Sequence, residues 1–94
     1  VTPSTPTTAF AAEGPPPREI DGEKIREMHS LCFTYPFNVS GHPAVSVPCG
    51  FDSEGLPVGL QFVGRRHSDH VLIGLAATFE SLQPWPRIAP AYDR

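Results

Sequence analysis

Lysine is nearly absent: in 94 residues Lys24 stands alone, and basic side chains number seven against ten acidic ones, for a net charge of −3. No basic block occurs, so neither nucleic acid nor an anionic membrane is expected as a partner. Cysteine is scarce as well. Cys32 and Cys49 are too few for a disulfide framework and lack the spacing of metal ligands, so no metal and no cofactor is expected. No apolar run approaches the roughly 20 residues that span a bilayer, and no secretory pattern is visible. A reducing, cytoplasmic setting is the expectation. A core is within reach, because Leu, Ile, Val and Phe fill 23 positions, above the share of about 20% below which disorder is expected. Pro and Gly, at 12 and 8 residues, make the composition turn-rich. The expectation is a piece cut from a larger α/β protein, since a small secreted domain normally carries more cysteines.

Five of the prolines fall in residues 1–17. Each lacks an N–H and biases its predecessor towards extended backbone, which predicts an irregular arm with the statistics of a flexible linker. Over 18–28 two readings stand. Asp21-Gly22 between Ile20 and Ile25 has the composition of a type I′ hairpin turn. Alternatively Asp21 caps a helix with Ile25, Met28 and Cys32 on one face. Ser30 to Gly41 predicts a helical turn or two, with Ser30 as cap and Gly41 as a left-handed end, and Pro36 limits its regularity unless it falls in the first turn.

Residues 44–51 alternate, Val45, Val47, Cys49 and Phe51 on a bulky face and Ala44, Ser46, Pro48 and Gly50 on a small one. Asp52–Gly55 reads as a turn. Residues 56–64 alternate again, with Val58, Leu60 and Phe62 opposite Gly59, Gln61 and Val63, so the pair predicts a β-hairpin. Pro48 removes a ladder donor and must face outward or mark a bulge. Ser68-Asp69 opens an amphipathic helix with the stripe Leu72, Leu75, Ala76, Phe79 and Leu82, which Pro84-Trp85-Pro86 ends before a tail.

Isolated chemical signals are weak. His67 and His70 have no third ligand at a matching interval and read as a solvated pair beside Arg65 and Arg66. Cys49 on the bulky face reads as a buried, inert thiol. Asn38-Val39-Ser40 fits a glycosylation acceptor and reads as chance.

A longer string carries more. Phe33-Thr-Tyr-Pro-Phe-Asn-Val-Ser-Gly-His-Pro-Ala-Val-Ser-Val-Pro-Cys-Gly-Phe51, followed after a turn by Gly55-Leu-Pro-Val-Gly-Leu-Gln61, closely resembles the carboxy-terminal stretch of the amidase-signature family. Phe79-Glu80 matches a Phe-Glu pair in the following helix, and Thr2-Pro-Ser-Thr-Pro6 resembles a run that follows a sheet strand there. The resemblance implies an α/β fold, a segment of a large, mixed, twisted sheet covered by helices. Residues 1–94 would be the carboxy-terminal part of a single amidase domain, 1–28 an arm and turn, 29–94 helix, hairpin, helix and tail.

Family members cleave amides with a serine nucleophile, a second serine on a cis peptide bond and a lysine base. A buried lysine of lowered pKa relays a proton through the bridging hydroxyl, and backbone N–H groups hold the oxyanion. This chain has no Ser-Ser pair, and Lys24 sits in a charged stretch. The resemblance therefore assigns no catalytic residue here. It places Leu31, Cys32, Phe33 and Thr34 near the substrate's side-chain end, where glutamyl-tRNA amidotransferase A subunits usually offer an acidic residue. Leu31-Cys-Phe is apolar, which favours an apolar or aryl amide. The expected partners are the remainder of the amidase chain and a small-molecule amide, with a homodimer left open. Two other readings stand: an amidotransferase A subunit or inactive relative, and an autonomous binding module that adds a partner strand to its hairpin edge.

Overall fold

A computed structural model of the chain describes residues 1–88. The hairpin forms where alternation places it. Strands β4 (Ala44–Phe51) and β5 (Pro57–Val63) run antiparallel, with Val45 opposite Phe62 and Val47 opposite Leu60. The connecting turn is held by one carboxylate: Asp52 Oδ1 accepts from the N–H groups of Glu54 at 2.9 Å and Leu56 at 2.8 Å, while Gly55 takes a φ of 79° that a side chain would oppose. Asp52→Ala removes both bonds and is expected to lower stability by about 1–2 kcal/mol, whereas Asp52→Asn keeps the acceptor and stays near wild type. Chemical denaturation midpoints check both.

The register slips at Cys49. Pro48 faces Gly59 and Gly50 faces Val58, leaving Cys49 as an extra residue. Pro48 has no N–H for the ladder, and a bulge beside it absorbs the missing donor. One inserted residue exchanges the faces of everything after it. The expected bulky row of Val45, Val47, Cys49 and Phe51 therefore ends at Val47. Gly50 joins that face, Phe51 crosses to the face of Ser46 and is exposed, and Cys49 is half-buried rather than buried.

A third strand corrects the reading of the arm as a linker. Strand β1 (Thr2–Pro3) pairs with the other edge of β5, Thr2 with Gln61 and Pro3 with Leu60, giving the order β1-β5-β4. The Ser4 N–H extends the contact by donating to the Gly59 carbonyl at 3.0 Å. An open β5 edge would leave backbone groups unpaired, and an edge position tolerates the missing donor of Pro3. The small face is thus approached by the chain itself. Ser4 Oγ hydrogen-bonds Ser46 Oγ, and a Cβ on Gly59 would lie 2.8 Å from Ser4 Oγ and 2.9 Å from Ser46 Oγ.

Asp21 (φ 51°) and Gly22 (φ 80°) make the two-residue turn between β2 (Glu19–Ile20) and β3 (Glu23–Lys24). Two consecutive positive φ values define the type I′ geometry and displace the helical alternative. A 3₁₀-helix over Glu27–Leu31 follows, then α1 (Tyr35–Ser40) with Pro36 in its first turn and Gly41 at φ 73° as its left-handed cap. Ser30 does not cap α1. It lies within the 3₁₀-helix, where its hydroxyl donates to the Glu27 carbonyl at 2.7 Å. Asn38 of the sequon falls inside α1. Arg66 donates to the Ser40 carbonyl, satisfying a helix end.

Helix α2 (Asp69–Leu82) packs on β4 through a narrower stripe than expected: Leu72 is buried, Ala76 and Phe79 half-buried, Leu75 and Leu82 exposed. Ser68 occupies the cap position, but its hydroxyl donates back to the Arg65 carbonyl instead of capping the helix. Val47, Phe62 and Leu72 form the core. Phe62 meets Phe79 edge-on at 5.7 Å, and Phe79 meets Trp85 at 6.3 Å, so Trp85 folds back onto the core instead of trailing in a tail. The remainder of that tail, from residue 89, lies outside the described residues.

The chain is expanded for its size. Its accessible surface is 7173 Å², against roughly 5,300 Å² for a compact monomer of this mass. Its radius of gyration is 14.8 Å, against about 12 Å. Val71, Leu75 and Leu82 leave one flank of α2 apolar and exposed, and Ile73 is exposed on the opposite flank.

Candidate functional site

Both sheet faces are occupied by this chain, but by different chemistry. One face carries Val45, Val47, Leu60 and Phe62 against α2. The other carries Ser46, Gly59 and Gln61 and is approached by the amino-terminal arm. On this second side lies a cleft of about 370 Å³. The arm forms one wall, with Thr5, Thr7, Thr8, Ala9 and Phe10. Ser30 and Leu31 form the facing wall, and the start of β5, Pro57 to Gly59, completes the lining. Among the described residues no charged side chain contributes to it. Hydroxyl groups and apolar surface are what it offers a ligand.

Of the four residues singled out by the sequence, only Leu31 lines this cleft, with 48% of its surface exposed. Cys32, Phe33 and Thr34 are half-buried and contribute no lining atoms. Cys32 N–H donates to the His29 carbonyl at 3.1 Å, and Thr34 N–H to the Leu31 carbonyl at 3.1 Å, so these residues form the scaffold carrying Leu31. A smaller concavity of about 260 Å³, between Phe51 and Trp85, is bordered by Arg87. His67 and His70 are exposed. Among the described residues, no three His, Cys, Asp or Glu side chains converge as a metal site would require.

Two parts of the site were not singled out in the sequence. The arm wall was hidden because its Pro- and Thr-rich composition carries no periodicity. Its usable signals were Gly59, whose missing side chain admits Ser4, and the resemblance of residues 2–6 to a run that follows a sheet strand. The other is Gln61, 4% exposed, the one buried polar residue among the described residues. Its Nε2 donates to Thr2 Oγ1 at 3.0 Å and to the Phe33 carbonyl at 2.7 Å. A polar side chain on a central strand, opposite Ser46 and flanked by Gly59, was the available clue.

No helix among the described residues is long and apolar enough to cross a membrane. The family model described as Amidase matches residues 1–73. Acylamidase of Rhodococcus erythropolis is 37% identical over 92 residues, which are 97% of this chain and 19% of that protein. The glutamyl-tRNA(Gln) amidotransferase A subunit of Thermosynechococcus vestitus is 39% identical over 94 residues, 96% of this chain and 18% of that protein. Among solved structures, a bacterial aryl acylamidase of the amidase-signature enzymes superposes with a TM-score of 0.75 at 38% identity, covering 88% of this chain and 18% of that one. A 6-aminohexanoate cyclic dimer hydrolase gives 0.68 at 33% identity, covering 88% and 19%. The chain thus spans under a fifth of the length of the relatives it matches, and over its described hairpin, arm and helices it has their fold: this chain belongs to the amidase-signature family.

Proposed function

We propose that the chain is the carboxy-terminal part of an amidase that hydrolyses a linear carboxamide to a carboxylate and an amine or ammonia. The serine nucleophile, bridging serine and lysine base are supplied by the remainder of the protein, and this part supplies scaffold and one side of the substrate pocket. The uncharged cleft bearing Leu31 carries the substrate reading. A ligand group seated there meets no counter-ion, so an apolar or aryl amide is favoured over one with a charged amine. Leu31 is the residue that touches it; Cys32, Phe33 and Thr34 hold Leu31 in place. The expanded surface and the bare apolar residues on both flanks of α2 support a need for the rest of the amidase chain, because exposed apolar area of this kind is normally covered.

Release of aniline from an acyl anilide by the whole purified protein, abolished by a serine-directed sulfonyl fluoride, is the expected result. The isolated 94-residue chain should release none. Turnover by the isolated chain would overturn the assignment of the machinery to the remainder of the protein. A second reading, an amidotransferase A subunit, is favoured by the identity to the Thermosynechococcus protein. Preferential hydrolysis of glutamine over the anilide would select it.

A further inference from the structure

We infer that Gln61 is a positioning residue that sets the spacing between the two walls of the Leu31 cleft. The inference rests on the reading of that cleft as part of the substrate pocket. Gln61 lies on β5, the central strand, and both donors of its amide are used. One goes to Thr2, three residues before Thr5 begins the arm wall. The other goes to the Phe33 carbonyl, two residues after Leu31 in the facing wall. These walls, residues 5–10 and 30–31, come from segments separated in sequence, and β1 and the 3₁₀-helix share no strand pairing. One amide group therefore attaches the segment after Leu31 to the sheet and, in the same place, fastens the side chain of Thr2 at the head of the already paired arm.

The rest of the contact is consistent with a fixed spacer. The Ser4 N–H bonds the carbonyl of Gly59, a residue that itself lines the cleft, so the arm is pinned on both sides of Pro3. On the Leu31 side, the bond to the Phe33 carbonyl is the one found between that segment's backbone and the sheet among the described residues. Buried amide donors hold a fixed geometry because leaving their acceptors unpaired is costly. No apolar side chain of the same length keeps both tethers.

Gln61→Met keeps length and burial but loses both donors, and Thr2→Val loses only the tether to the arm. Assayed in the whole protein with a neutral acyl anilide, Gln61→Met is expected to raise KM on the order of five- to tenfold with kcat within about twofold, and Thr2→Val to raise it less. Val47→Ala, on the opposite sheet face, is the stability control. It should lower the melting temperature comparably and leave KM unchanged. If Gln61→Met leaves KM at the wild-type value, or if Val47→Ala raises it equally, the inference is overturned. A Leu31→Glu variant measured alongside reports on the pocket reading by itself: a wild-type KM there removes that reading, while the comparison of Gln61 with Val47 still decides the spacer role.

Discussion

Phe62→Ala is expected to be the most destabilising single change in this segment, costing about 3–5 kcal/mol. Phe62 is buried between the hairpin and α2, and it is the inner member of the Phe62–Phe79–Trp85 row. Truncation removes the apolar contact and the edge-on ring pair, itself worth about 0.5–1.5 kcal/mol. It also opens a cavity that Val47 and Leu72 cannot fill, since each is fixed on its own element. Whole domains are stable by only about 5–15 kcal/mol, so the loss should be visible in any denaturation experiment. The companion variant is Ile73→Ala. Ile73 is 69% exposed in this chain, and if solvent were its permanent neighbour the change would fall within about 0.5 kcal/mol. On the proposed reading the remainder of the amidase covers that side of α2, and in the whole protein the cost rises to about 2 kcal/mol or more. A near-zero effect of Ile73→Ala in the whole protein would remove the proposal that this helix face is an internal contact.

Leu31→Glu is expected to have the largest effect on activity. It places a carboxylate in a cleft whose lining carries no charge, so an apolar or aryl group must bind beside an ion that needs water. KM for a neutral anilide should rise by about tenfold or more, while an amide bearing a cationic amine should lose less or gain. Leu31 is half exposed, so the variant should fold, and an unchanged melting temperature separates pocket chemistry from damage to the scaffold. Equal losses on the neutral and cationic substrates would mean that the carboxylate is not felt by the substrate, and Leu31 would leave the pocket.

Much of the fold was legible because local chemistry and tertiary demand agree. Gly22, Gly41 and Gly55 take positive φ values that the lack of a Cβ permits, Asp21 tolerates one, and Asp52 accepts from its own turn. The paired alternations could only bury Val45, Val47, Leu60 and Phe62 together as a hairpin. Other features were illegible because their causes are not local. The exchange of faces after Cys49 follows from Pro48 meeting a partner strand, and nothing in residues 48–51 alone says whether Pro48 faces out or forces a bulge. Ser30 and Ser68 look like helix caps, yet each hydroxyl finds a carbonyl three residues back, because a 3₁₀ turn and a tight strand exit bring those carbonyls closer than the helix N–H groups.

Sequence by itself determined the family and the turn and strand plan of this protein, since fixed Gly, Pro and Asp positions constrain backbone angles wherever the chain goes. Tertiary structure alone decided that the proline-rich opening is a strand and a cleft wall, that Leu31 and not its three neighbours reaches the cleft, and that Gln61 joins the two sides. Those outcomes depend on which edge, face and carbonyl happen to lie within hydrogen-bonding distance once distant segments meet. No local propensity encodes that.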